Sequence, residues 1–221
     1  FAAEARHNGT KMWVFSPDFS QVSKYADEWV PLNAGQDGAW WMAVNHVLLT
    51  ECHHRTPVPY FLEYVKQYTD APLLVELEEV EPGTYRPGQL LRAGRLAPYA
   101  GVEHPEWKFL MWDRRDGRPR MPMGGVGFRW GSEKGKWNLL LKDGLDGADI
   151  DPALTLLDAA DEVVQVELDD FAAARALRRG VPARRVSLAD GRQVAVATVY
   201  DLLMAQYGVA RGLPGDYPAS Y

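Results

Sequence analysis

Cysteine is nearly absent from this 221-residue chain, where Cys52 stands alone. A single thiol excludes an internal disulfide framework and any iron–sulfur cluster held by the segment's own thiolates. The redox compartment stays open. Long apolar runs are missing as well. No stretch approaches the about 20 residues that a membrane helix needs, and the N-terminus lacks the charged-then-apolar order of a signal peptide. No direct membrane insertion is expected, and attachment would come through a partner. Basic excess is a third absence, since 24 Lys and Arg face 30 Asp and Glu for a net charge of −6. A broad basic face able to neutralise a phosphate backbone is not expected, and neither is a nucleic-acid partner.

Familiar catalytic constellations are missing too. "ECHH" at 51–54 has metal-like composition, but consecutive residues on a helix point in different directions and cannot converge on one ion. "DGLDGADID" at 143–151 has the composition of a calcium loop without its spacing, and reads as a solvated turn. No Ser-His-Asp, paired-glutamate or Cys-His arrangement can be placed. No GxGxxG occurs: the nearest glycine cluster, "GGVGFRWG" at 124–131, lies in turn-rich sequence without a strand–turn–helix context.

What is present is an ordinary globular composition, 47% hydrophobic, enough for one large or two small domains. The chain opens at Phe1 inside what reads as a helix through residue 8, with Gly9 at its stop. A helix with no preceding strand leads us to expect a piece of something longer. A strand over 11–15, a short helix near 21–26 and a strand over 28–32 follow. Asp37 then opens a helix reaching about residue 51, and the breaks at Pro57 and Pro59 precede another over 60–68. The order is α/β. From 73 to about 161 the character changes to turn-rich sequence with short apolar runs, such as "EPGTYRPGQ" and "DRRDGRPRMPMGG", expected as an insertion of hairpins. Regular elements return: a strand over 163–168, a helix over 171–179, two strands around Asp190-Gly191, and a helix over 199–207.

Two stretches could carry binding chemistry. Ser16-Pro17-Asp18 ends a strand, and in open α/β sheets ligands lie beyond the carboxyl ends of strands, where a carboxylate can accept two hydrogen bonds from ribose hydroxyls or a purine edge. Asp18 could equally cap the helix that begins near Ser20. "LNAGQDGAW" at 32–40 repeats the design one strand later, with Gly35 allowing close backbone approach and Asp37 at a helix start. A third stretch, "GFRWGSEKGKWNL" at 127–139, interleaves Trp130 and Trp137 with Arg129, Lys134 and Lys136. Against the net acidity it reads as a packing hairpin, not a platform for single strands.

Together "SPDFSQVSKYADEWVPLNAGQDGAWWMAVNHVLLTE", "GFRWGSEKGKWNL" and "VATVYDLLMAQYGVARGL" resemble the catalytic alpha subunits of membrane-bound respiratory nitrate reductases, in the dimethyl sulfoxide reductase superfamily of molybdenum enzymes. The resemblance covers nearly the whole segment in order. It implies a Rossmann-like layered α/β domain of the molybdopterin dinucleotide-binding type: residues 1–72, a turn-rich β-hairpin insertion over 73–161, and a return to α/β elements over 162–221. The implied cofactor is molybdenum bis(molybdopterin guanine dinucleotide), with an iron–sulfur cluster elsewhere in the subunit. By the same resemblance Ser16, Pro17 and Asp18 match a loop holding a guanosine, and Gly35 with Asp37 match the next loop on that dinucleotide. Gln36 and Trp40-Trp41 depart from the residues frequent there. The implied activity is reduction of nitrate to nitrite with electrons from quinol. The implied partners are an iron–sulfur beta subunit and a membrane cytochrome b subunit, which would make the complex membrane-associated. The molybdenum-ligating aspartate and the cluster motif belong to sequence upstream of Phe1, so the segment alone is expected to be catalytically silent. Two rival readings stand beside this one: a sibling enzyme acting on chlorate, perchlorate, selenate or hydrocarbons, and a cofactor-free module for docking a protein partner.

Overall fold

The structure, a computed structural model, describes residues 1–124, 139–170 and 175–215, and it divides into two compact units over 1–45 and from 46 onward. The first unit contains α1 (Ala2–His7), β1 (Trp13–Ser16), a tight 3₁₀ turn (Ser23–Tyr25), β2 (Glu28–Pro31) and most of α2 (Asp37–Val47). Gly9 ends α1 with φ +86°, the left-handed stop its residue type favours. β1 and β2 pair in parallel, from Trp13↔Glu28 to Ser16↔Pro31. The Asp27 carboxylate accepts from the Met12 backbone N–H at 2.8 Å and from Arg6 at 3.5 Å, fixing the entry to β1. Among the described residues of this unit only Ser23 is buried.

The second unit is dominated by a closed barrel of β3 (Leu74–Glu81), β4 (Thr84–Leu90), β9 (Glu162–Asp170), β10 (Arg175–Ser187) and β11 (Gln193–Thr198). Between β4 and β9 lie the short pairs β5 (Met111–Asp113) with β6 (Arg118–Arg120), and β7 (Pro122–Gly124) with β8 (Leu139–Asp143). α3 (Pro59–Tyr68) precedes the barrel and α4 (Val199–Gln206) follows it. Every neighbouring pair in the barrel is antiparallel except β4 with β9, a parallel seam of two register pairs, Thr84↔Gln165 and Tyr85↔Val166.

The apolar pattern explains the closure. β3 and β11 are buried on both faces. Leu74 and Val196 pack with Leu91, Leu110, Trp112 and Met121, while Val75, Leu77, Ala195 and Ala197 pack with Val164, Val166, Val181 and Leu202. β9 is buried on alternate residues only, Val164, Val166, Leu168 and Asp170. Within β10, Arg179 is 1% exposed and donates to the carbonyls of Ala205 and Gln206, supplying donors to the end of α4, where carbonyls lack partners inside the helix.

Several expectations need correction. Arg175–Arg179 are not helical, and 171–174 lie outside the described residues. Alanine and arginine favour a helix locally, but Leu177, Arg179 and Val181 alternate inward and pair with Leu168, Val166 and Val164, so tertiary pairing overrides propensity. The strands expected in an insertion, β3 and β4, share one barrel with the strands expected after it. The hairpin expected over 127–139, with Trp130 and Trp137, lies outside the described residues apart from Leu139. The fold is mixed α and β with several sheets.

Candidate functional site

Parallel pairing brings the carboxyl ends of β1 and β2 to the same edge, so the loops 16–18 and 32–37 leave the sheet together. Ser16 closes β1, and its hydroxyl is committed on both sides. It donates to the Asp18 backbone carbonyl at 2.7 Å and accepts from the Trp29 indole N–H at 3.1 Å. The Phe19 ring meets Trp29 edge-on at 5.5 Å, and the Ser20 N–H donates to the same Asp18 carbonyl at 3.0 Å. The loop is therefore held by its backbone, and Pro17 stiffens it further by fixing φ. The Asp18 carboxylate is exposed and accepts no hydrogen bond among the described residues. The 3₁₀ turn that follows takes Val22 as its cap, with no side-chain bond, so Asp18 does not serve as a helix cap.

On the second loop, Gly35 has φ +82°, a conformation that side chains rarely adopt, and nothing lies within 4 Å of where a Cβ would stand. Asp37 is the first residue of α2 and is exposed. Behind it, Trp40 packs on Phe15 with ring centroids 4.1 Å apart and meets Trp41 edge-on at 4.8 Å. The edge thus presents two acceptor carboxylates, an open glycine and the free N–H groups of a helix start. It offers no nucleophile and no positioned acid–base pair. Among the described residues no group of His, Cys, Asp and Glu is placed to hold a metal ion.

No family model matches the chain. Among curated proteins it is 40% identical to the respiratory nitrate reductase 1 alpha chain of Escherichia coli over 96% of its own length. It is 38% identical to the nitrate reductase alpha chain of Bacillus subtilis over 100%, and 39% identical to the nitrate reductase alpha subunit of Mycobacterium tuberculosis over 99%. Over nearly its whole length the chain is thus similar to a part of proteins named nitrate reductase alpha chain. It spans about 18% of the length of the curated relatives it matches.

The structure brings Ser16, Pro17, Asp18, Gly35 and Asp37 to one edge, and it adds a residue that sequence reasoning missed. Trp29 anchors Ser16 across the sheet. Its role follows from the parallel register, which sequence pattern does not supply. The dismissed motifs also gain definite places. His53 of "ECHH" bonds the Tyr200 hydroxyl at 2.7 Å and packs edge-on against Phe61, and burial, then the neighbouring His54, lowers its pKa. The 143–151 turn is not simply solvated. Asp143 is fully buried, accepting from Tyr99 at 2.7 Å and from the Leu145 N–H at 2.7 Å, with Arg120 at 3.4 Å. Burial first, and the Asp143 bond second, push the Tyr99 hydroxyl well above its usual range.

Proposed function

We propose that this chain is the part of a respiratory nitrate reductase alpha subunit that holds one guanine end of its molybdenum cofactor, within a Rossmann-like layered domain of the molybdopterin dinucleotide-binding type. The observation that carries the reading is the match over nearly the whole chain to proteins named nitrate reductase alpha chain. The geometry of residues 1–45 supports the local assignment. An unbonded Asp18 carboxylate can accept from ribose hydroxyls or the guanine N–H edge, the space at Gly35 admits a ligand close to the backbone, and the start of α2 beside Asp37 favours an anionic group. These residues fit molybdenum bis(molybdopterin guanine dinucleotide). When bound, that group supplies oxygen-atom transfer from nitrate, giving nitrite with electrons from quinol. The chain's own residues bind and orient: Asp18 and Asp37 accept hydrogen bonds, Ser16 and Pro17 shape the loop, and Gly35 keeps it open.

The complex would further include an iron–sulfur beta subunit and a membrane cytochrome b subunit, and membrane association would come through them. Among the described residues no helix is long and apolar enough to cross a membrane. A sibling enzyme acting on another oxyanion fits less closely, because the relatives matched over nearly the whole chain carry the nitrate reductase name.

The test is the double variant Asp18→Ala with Asp37→Ala in the full-length subunit. Each lost partner costs about 1–3 kcal/mol of ligand binding, so cofactor affinity falls by about two to four powers of ten if the losses add. The expected product is a folded subunit depleted in molybdenum and guanine nucleotide. A variant fully loaded with both would overturn the assignment.

A further inference from the structure

The barrel is closed between β4 and β9 by two register pairs only. Past Tyr85↔Val166 the Arg86 guanidinium bridges to Glu167 at 2.8 Å, and beyond that bridge neither strand keeps a ladder with the other. Pro87 offers no N–H, and β4 carries an irregularity in its pairing to β3 between Leu77 and Val75. Two adjoining cavities of about 470 and 330 Å³ fill the wedge, sharing Pro87, Leu168 and Gln206 in their walls. The smaller one is lined mostly by apolar side chains, among them Leu90, Leu168, Leu202 and Leu203. Leu203 is 42% exposed there. The backbone of β9 is also not left bare on this side, since the Gln206 amide donates to the Asp169 carbonyl at 3.0 Å, standing where a strand partner would donate. At the rim Asp70 and Asp169 are exposed and form no ion pair among the described residues.

We propose that this wedge seats an extended segment of the same alpha polypeptide, from outside these 221 residues, that presents a large apolar side chain beside a lysine or arginine. The inference rests on the reading of the chain as part of an alpha subunit. Three observations select the occupant. An open strand edge takes extended backbone, which adds hydrogen bonds where Gln206 now substitutes. The leucine-lined cavity takes one bulky apolar side chain. The two carboxylates at the rim favour a cation next to it. The source is the remainder of the subunit, because the matched relatives carry most of their length outside the stretch they share with this chain.

The experiment places the photo-cross-linking amino acid p-benzoylphenylalanine at Leu203 of the full-length alpha subunit, with Gln206 as a second site should the first variant fail to fold. Cross-linked peptides are read by mass spectrometry. The expected product joins the label to one segment of the alpha chain outside these 221 residues, with an apolar residue next to Lys or Arg. Asp70→Asn with Asp169→Asn should lower its yield about fivefold, the effect of about 1 kcal/mol. A cross-link to another subunit, to a residue within the 221, or to nothing would overturn the inference. Molybdenum content and nitrate turnover of the unlabelled subunit are measured separately. Their absence from the unlabelled subunit, with the expected cross-link formed by the labelled one, would remove the nitrate reductase reading and leave the wedge assignment standing, and the converse would do the opposite.

Discussion

Residues 1–45 and the barrel answer the same physical problem in opposite ways. The barrel pairs its strand edges by closing, apart from the wedge beyond Tyr85↔Val166, and buries apolar residues on both faces of β3 and β11. The two-stranded parallel sheet of β1 and β2 has neither recourse. Trp13, Phe19 and Trp41 are 60%, 64% and 59% exposed, and its aromatic rings rest mainly on one another. Parallel sheets are ordinarily covered on both faces, and two strands alone are marginal. The barrel therefore carries its stability within itself, whereas the open edge spends its residues on presenting groups outward.

The largest test of that contrast is the buried pair of Asp201 on α4 with Arg211. Asp201 is fully buried, accepting from Thr155 at 2.6 Å, the Leu156 N–H at 2.8 Å and Arg211 at 2.7 Å. Arg211→Ala leaves its charge uncompensated, and a loss of about 3–5 kcal/mol should lower the melting temperature by about 10 °C. Next, Leu74→Ala should cost about 2–5 kcal/mol of unfolding free energy in denaturant titration, while Trp41→Ala should stay within about 0.5 kcal/mol. Equal costs would erase the distinction between the two regions.

Much of this was legible in sequence, and the failures share a cause. The ends of β1, β2, α3 and α4 fell within a few residues of expectation because glycine, proline and cap signals act locally: Gly9 stops α1, Pro59 starts α3, and the Thr198 hydroxyl accepts from the Asp201 N–H at 3.0 Å. The two candidate loops were visible for the same reason. What escaped depends on distant partners. Leu177 joins a strand only because β9 is beside it, Asp143 is buried only because Tyr99 and Arg120 meet it, and Trp29 reaches Ser16 only through the parallel register.

That last contact sharpens the comparison at smaller scale. Trp29→Phe keeps the ring and removes one donor to Ser16, at about 1 kcal/mol. Under the proposed function it should weaken guanine-nucleotide retention several-fold with little change in melting temperature. A large fall in melting temperature would make Trp29 a core residue instead.

The smallest effect expected is a pH dependence confined to the first unit. The Met12 N–H bond foremost, with Arg6 and Lys11 adding to it, holds the Asp27 carboxyl below its ordinary 3.8. A depressed folded value means that the stabilisation is present above the unfolded value and fades as pH falls through the folded one. Asp27→Asn should therefore melt slightly lower than the parent at pH 7, and the two should converge in melts below about pH 4.

The pairing of β3 with β11 has a consequence for how such a chain could arise. Leu74, which opens β3, is the register partner of Thr198, which closes β11. The path thus enters and leaves the barrel at adjacent points, about 5 Å apart as cross-strand neighbours are. A gene could gain or lose everything between those codons and the flanking polypeptide would need only a short splice to rejoin. Residues 74–198 have the topology of a cassette, able to change its loops and length over evolutionary time without altering the course of the chain on either side.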